Sequence, residues 1–275
     1  MASSTEGFAG RRVWVTGASS GIGAGLARAF GRAGAELILS GRKVAALEAV
    51  AEAAGGNAEL LPFEAIDMAA LPGIVERAGP VDLLVNNAGI SQRSLAEDTD
   101  FHVYRTIMEV DFFAPVALTK LVLPQMLARG HGHIAVVASV AGKVGSPQRT
   151  GYCAAKHAVM GFFDALRTEV AHRGVKVSTI VPGYVATPIA TRALTADGSP
   201  RGEGADEVDQ GISPDEAAAI ILDGLAKGAR EIPVGAAGGM EMALLDMKRQ
   251  DPEGLFDLME KLGAAVVAKF GKAAA

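Results

Sequence analysis

A phenol and an ammonium stand four positions apart in GYCAAKHA, residues 151–158. In a helix that spacing puts Tyr152 and Lys156 on one face, one turn apart. A free phenol has a pKa of about 10 and exchanges protons poorly at neutral pH. A fixed positive charge beside it stabilises the anion and makes the group usable as an acid or base. Aromatic–lysine neighbours are also common in ordinary helices. The surroundings must decide between the two readings.

A second constellation lies near the start of the chain, in VWVTGASSGIGAGLARAF. Gly17, Gly21 and Gly23 follow a β-type run and open a helical one, with Ser19, Ser20 and Ile22 in the same turn. Glycines there allow a tight turn and let backbone N–H groups approach a pyrophosphate, and the helix N-terminus adds partial positive charge. The residues after the next β-type run choose the nucleotide. A carboxylate would hold the ribose hydroxyls and repel a 2′-phosphate. The chain instead has Ser40-Gly41-Arg42-Lys43. A small residue leaves room and Arg42 offers a planar fork suited to phosphate, so NADP(H) is expected over NAD(H). The bland alternative is an Arg42 that only solvates a helix start.

These residues need a scaffold. β-type runs at 12–17, 36–40, 58–63, 81–86, 133–139, 176–182 and 230–235 alternate with helical patterns at 21–33, 43–53, 68–78, 100–128, 150–173 and 214–228. Nearly continuous apolar strands alternating with helices predict an α/β fold: one doubly wound parallel sheet with helices on both faces. Ligands then bind beyond the carboxyl ends of the strands, at the switch point. Residues 1–8 read as a flexible N-terminus, 9–235 as the domain, and 236–275 as a helical C-terminal extension. Residues 188–212 are polar and glycine-rich, as a mobile loop over a site would be.

Bulk properties narrow the class. The 275 residues are 49% hydrophobic and 21% charged, which excludes disorder and suits one soluble domain. A net charge of −5 offers no footprint for nucleic acid. The one cysteine, Cys153, excludes a disulfide framework. No apolar stretch reaches signal-peptide or membrane-span length, so a cytoplasmic location is expected. His131, His133 and His157 form no metal-ligand pattern, and no metal is expected.

TGASSGIG at 16–23, NNAG at 86–89, GYCAAKHA at 151–158 and PGYVATP at 182–188 occur in this order. Together they resemble the short-chain dehydrogenase/reductase family, in its shorter branch, over roughly residues 9–235. GYCAAKHAVMGFFDALRTEVA and the tail DPEGLFDLM most resemble the subgroup related to microsomal carbonyl and steroid reductases. The resemblance implies a Rossmann-type domain and an oxidoreductase acting on a small secondary alcohol or ketone, apolar in character. It implies Ser139 as the substrate-polarising hydroxyl, Tyr152 as acid/base and Lys156 as the group holding the nicotinamide ribose. Asn87, Ala88 and Gly89 would lie beside the adenosine and Glu64 near the adenine. Thr187, with the backbone at Pro182, Gly183 and Val185, would contact the carboxamide. A homodimer or homotetramer through the fourth and fifth long helices is implied as well.

The chain departs from the family at Asp111, where asparagine is usual and its backbone carbonyl holds a water leading to the lysine. Pro115 lacks the N–H that would bond the carbonyl of residue 111, which is therefore free whatever side chain stands there. A carboxylate near Lys156 would oppose its field, so Asp111 joins the candidate catalytic residues, with a solvated or protonated side chain as the bland alternative. Cys153 reads as small apolar packing. Lys143, Gln148, Arg149 and Tyr184 follow strands on the site side and read as solvated, with substrate contact as the alternative. The tail, lacking a dense basic face, is expected to pack on the domain or a second subunit rather than on a membrane. A competing reading is a nucleotide-binding scaffold or redox sensor with impaired chemistry. Sugar-nucleotide epimerases and dehydratases have longer chains and differently spaced glycines.

Overall fold

A computed structural model describes residues 6–270. Seven strands form one parallel sheet: β1 (Arg12–Thr16), β2 (Glu36–Ser40), β3 (Ala58–Leu60), β4 (Leu83–Asn86), β5 (Gly132–Val137), β6 (Val175–Pro182) and β7 (Glu231–Val234). Their spatial order is β3-β2-β1-β4-β5-β6-β7, so the direction of winding reverses between β1 and β4. The doubly wound sheet expected from the strand–helix alternation is present. Connecting helices are α1 (Gly21–Arg32), α2 (Val44–Ala53), α3 (Leu71–Ala78), α4 (Phe101–Met108), α5 (Ala114–Arg129), α6 (Thr150–Val170) and α7 (Pro214–Ala226). The extension forms α8 (Met240–Gln250) and α9 (Pro252–Phe270).

Strand alternation divides the core. Val13, Val15, Leu37 and Leu39 point to one face, where they meet Leu26 and Phe30 of α1 and Ile221 and Leu222 of α7. Trp14, Ile38, Ile134 and Val136 point to the other, against Leu118 and Val122 of α5 and Val159 and Phe163 of α6. The extension adds buried Leu245 and Leu255 to this second cluster. At the other end, residues 6–8 form a 3-10 turn. Phe8, assigned from sequence to a flexible terminus, is buried, with its ring edge-on to Phe30 at 5.0 Å. One aromatic side chain is enough to tie that turn to α1.

The segment 100–128, expected as one helix, is interrupted. Between α4 and α5, residues Glu109–Phe113 form a wider turn, in which the Ala114 N–H bonds the Glu109 carbonyl. Such one-turn bulges often mark functional sites. Pro115 supplies a local cause, since it cannot bond the carbonyl of Asp111.

His133 on β5 shows how burial couples this sheet to pH. Its Nε2 lies 2.8 Å from Ser178 Oγ, and the Ser178 hydroxyl donates to the Ala229 carbonyl at 2.6 Å. Ser178 therefore accepts, and His133 is the neutral Nε2–H tautomer. Burial, with Lys176 and Arg11 adding repulsion, lowers its pKa from 6.5 to about 4. The folded state favours neutral histidine, so this stability is present above the unfolded value and lost as pH falls from about 6.5 through about 4. The full loss is about 3 kcal/mol. Urea unfolding of wild type and His133→Gln at pH 7 and pH 4.5 should give the wild type the larger acid loss. Equal losses would remove His133 from the acid response.

Candidate active site

The glycine turn joins β1 to α1. Gly17 has φ of 63°, and a Cβ there would lie 2.7 Å from the Ala88 Cα. A Cβ on Gly23 would lie 2.4 Å from the Gly17 carbonyl oxygen. No other residue fits either position without moving backbone. Thr16 and Asn87 clasp the turn to the loop after β4. The Asn87 and Ala88 N–H groups donate to Thr16 Oγ1 at 3.0 and 3.1 Å, and the Asn87 amide donates to the Thr16 carbonyl at 2.9 Å. Asn87 thus acts here by shaping the cradle. Ser20 begins α1 in extended conformation without a side-chain cap, and the first turn has no acidic residue. That N-terminus keeps N–H groups and partial positive charge for an anion.

A cleft of about 630 Å³ runs from this turn across the ends of the strands. One end holds Ser40, Arg42 and Glu64. Ser40 is buried and its Oγ accepts the Trp14 indole N–H at 2.8 Å, so it brings no charge to the pocket. Exposed Arg42 lies 3.5 Å from exposed Glu64. Arg192, which the sequence reading missed, reaches over the glycine turn and donates to Ser20 Oγ at 3.1 Å. Gly21 and Ile22 line the same wall, and the Thr187 methyl packs close to Gly21. The cradle, the uncapped helix end and the cleft fit a dinucleotide.

The other end gathers Ser139, Tyr152 and Lys156. Ser139, just beyond β5, accepts the Ala141 N–H at 3.1 Å and makes a long 3.4 Å contact to the Pro182 carbonyl. Its hydroxyl hydrogen is easily redirected. Tyr152 and Lys156 share a face of α6, with Nζ 5.6 Å from the centre of the phenol ring. The Tyr152 hydroxyl has no hydrogen-bond partner among the described residues, and Tyr152 lines the cleft. Lys156 is buried and donates to the Val137 carbonyl at 3.1 Å.

Asp111 lies beside it. Its Oδ2 is 3.2 Å from Lys156 Nζ, and its Oδ1 accepts the Ile90 N–H at 2.8 Å. Both side chains are shut off from water. Burial raises the Asp111 carboxyl above the usual range, against the pull of Lys156 and the Ile90 N–H. Burial opposes the charge on Lys156, but Asp111 and then Tyr152 outweigh it and raise the ammonium above its ordinary value. Lys156 is therefore a permanent cation across the working pH range.

Other candidates fall into place around this centre. Gly89 packs against the Asp111–Lys156 pair. Pro182 and Gly183 border the cleft, and Gly183 N–H bonds the Val234 carbonyl at 2.8 Å. Val185 is buried beside it. Burial pushes the Cys153 thiol up and keeps it protonated. Lys143 pairs with Glu231 rather than standing free in solvent. Glu241 of α8 was missed by sequence reading: its Oε1 accepts the Tyr184 N–H at 3.0 Å, so the extension helps hold the loop after β6. No local signal marks Glu241, because its role depends on α8 folding back onto the domain. Arg149 and Tyr184, read as solvated with substrate contact as the alternative, line the cleft.

The segment 188–212, expected as a mobile loop, is tied down. Leu194 N–H bonds the Ser91 carbonyl and its own carbonyl takes the Arg93 N–H, each at 2.8 Å. Arg93 and Asp206 form a buried two-point ion pair at 2.9 and 3.1 Å. Polar composition concealed these anchors, because their partners lie far away in sequence.

Residues 11–197 match the short chain dehydrogenase family model. The chain belongs to that family. It is an NAD(P)-dependent oxidoreductase. It is 41% identical over 231 residues to dehydrogenase/reductase SDR family member 7B of Mus musculus, covering 80% of this chain and 72% of that one. Among solved structures it resembles a short chain dehydrogenase from Burkholderia cenocepacia in complex with NADP. The TM-score is 0.78 at 26% identity, over 91% of this chain and 98% of that one. The fold also matches a short chain dehydrogenase/reductase from Burkholderia phymatum in complex with NAD, with TM-score 0.78 at 23% identity over 90% and 95%.

The cradle has a direct test. Gly23→Ala should weaken NADPH and NADH binding by about tenfold or more, since its methyl must displace turn backbone. Fluorescence titration, with a thermal melt as folding control, measures this. Unchanged affinity for both nucleotides in the folded variant would place the dinucleotide elsewhere.

Proposed function

We propose that this protein is an NADP(H)-dependent oxidoreductase acting on a secondary alcohol or ketone with an apolar body, using Tyr152 as acid/base with Ser139 and Lys156. The observation that carries this reading is one cleft holding an unpartnered phenol, a serine hydroxyl and a buried ammonium in continuity with the glycine cradle. A bound nicotinamide supplies or accepts the hydride. Tyr152 passes a proton to or from the substrate oxygen, which its free hydroxyl can reach from the cleft wall. Ser139 turns its hydroxyl from the Pro182 carbonyl to that oxygen as charge develops there. Lys156 holds positive charge beside the phenol and stabilises its anion. Asp111 fixes the ammonium and moderates its field.

The NADP(H) preference rests on neutral Ser40 and on Arg42 at the end of the cleft. Glu64, 3.5 Å from Arg42, competes with a 2′-phosphate for the same guanidinium. A homodimer or homotetramer through the fourth and fifth long helical segments, 100–128 and 150–173, is part of the reading, and exposed Phe101, Phe113 and Leu121 on the first of these support it.

Three variants test the reading. NADPH consumption against a panel of aldehydes, ketones and quinones should fall about 10²-fold or more in Tyr152→Phe, while nucleotide binding persists. Retained turnover would dismiss Tyr152 as the acid/base. Arg42→Gln should lower the ratio of NADPH to NADH efficiency by about tenfold, the worth of one charge-assisted contact; an unaltered ratio would remove Arg42 from cofactor choice. Asp111→Asn removes a negative charge that opposes Lys156. The acid limb of the pH–rate profile for alcohol oxidation should therefore move to lower pH, because the phenolate is then better stabilised. A fixed limb would mean that Asp111 is protonated in the working enzyme.

A further inference from the structure

Arg149 stands at the start of α6, one turn before Tyr152, and lines the cleft with it. Its side chain is only 15% exposed. A guanidinium carries five donors in a fixed fork, and burying it calls for matching acceptors. The nearest carboxylate oxygen, on Asp206, lies 3.9 Å from Nη2, too far for a hydrogen bond. Asp206 is already taken. Arg93 meets it at two points, the Val208 N–H donates to its Oδ1 at 3.1 Å, and Arg201 stands 3.6 Å away. Three guanidinium groups share this one carboxylate.

The neighbouring acids are also engaged. Glu207 accepts the Tyr184 hydroxyl at 2.6 Å, and Asp209 accepts the Asp206 N–H at 3.1 Å. The Tyr184 oxygen beside Arg149 can satisfy one of its donors. Arg149 lines the same cleft as Tyr152, and its fork makes no hydrogen bond to a carboxylate.

Backbone strain gives a second, independent observation. Gln148, immediately before Arg149, has φ of 62° and is the one non-glycine residue with positive φ among the described residues. Its carbonyl accepts the Ser94 N–H at 3.1 Å, which holds the strained turn in place. A strained residue directly before Arg149 fixes the direction in which that side chain leaves the backbone.

We infer that Arg149 binds an anionic head group, a carboxylate or a phosphate, on the substrate, so that the preferred substrates are oxo acids or oxo phosphates rather than neutral ketones. The planar fork matches both anions at two points. Ile90, Val144, Ile189, Leu194 and Leu244 line the rest of the cleft and suit an apolar body behind the head group. The inference rests on the oxidoreductase reading above and names the substrate class for that site.

The test is calorimetric titration of the full chain, loaded with NADP, by oxo acids of stepped chain length, their methyl esters and matching oxoalkyl phosphates. In wild type the best anion should bind about tenfold or more tightly than its neutral ester. Arg149→Gln should abolish that difference, and Arg149→Lys, which keeps charge but loses the fork, should restore it in part. The ranking of carboxylate against phosphate identifies the head group. Acid and ester binding alike, no anion binding at all, or a preference that survives in Arg149→Gln would each overturn the inference. Turnover of neutral ketones that depends on Tyr152, found together with equal binding of acid and ester, would overturn this inference and leave the oxidoreductase reading standing. Absence of any turnover dependent on Tyr152 would overturn that reading instead.

Discussion

A buried ammonium joins the parts of this site. Lys156 on α6 bonds the last carbonyl of β5 and lies against Asp111, whose other oxygen takes the Ile90 N–H in the loop after β4. Two strands' ends, the wide turn between α4 and α5, and the helix bearing Tyr152 thus meet at one charge pair. Two unit charges 3.2 Å apart attract by about 5 kcal/mol at an effective dielectric of about 20. Desolvation costs several kcal/mol for each ion, so the pair adds little or nothing to net stability. What it supplies is registry. Removing one partner would leave the other charged in a dry environment, which penalises any arrangement that separates these elements.

The sheet makes that meeting possible. Winding reverses between β1 and β4, which opens a crevice at the strand ends. The glycine cradle and Asn87 occupy the crevice, while β5 and β6 carry Ser139 and Pro182 next to it. Every strand is parallel, so all the loops bearing site residues emerge on the same edge. The substrate side is assembled differently. Arg93, Asp206 and Glu241 come from the loop after β4, the segment before α7, and α8. Those contacts are distant in sequence and set the shape of the pocket rather than its chemistry.

That division explains what could be read from the amino-acid string. The sheet was legible because each apolar run has the length of a strand and lies between helical periods. Tyr152 and Lys156 were legible because helical spacing puts them together without tertiary information. Pro115 marked the lost helical bond at residue 111, although the width of the turn there depends on packing against α6. The anchored segment 188–212 was not legible: its composition is that of a loose loop, and it is held by a salt bridge to Arg93. Arg149 could be placed on the site side but not told from a solvated residue, since nothing local shows that Asp206 and its neighbours will wall it in. Phe8 was misplaced for the same reason, its partner Phe30 being visible only in the folded domain.

The charges around the phenol carry the argument one step further. Asp111 lies 3.2 Å from the ammonium, so at a distance the pair looks more like a dipole than a free cation. Its field falls off faster than that of a lone lysine, and Lys156 Nζ lies 5.6 Å from the centre of the Tyr152 ring on the same helix face. Arg149, one turn toward the N-terminus of α6, is a second cation whose nearest carboxylate is shared with two other arginines. Asp111 compensates the buried lysine, whereas Arg149 on the wall of the same cleft has no carboxylate to itself. That arrangement separates two tasks that one lysine would otherwise perform together. On the proposed reading, the buried pair fixes geometry beside Tyr152, and the outer guanidinium selects a charged substrate without disturbing it.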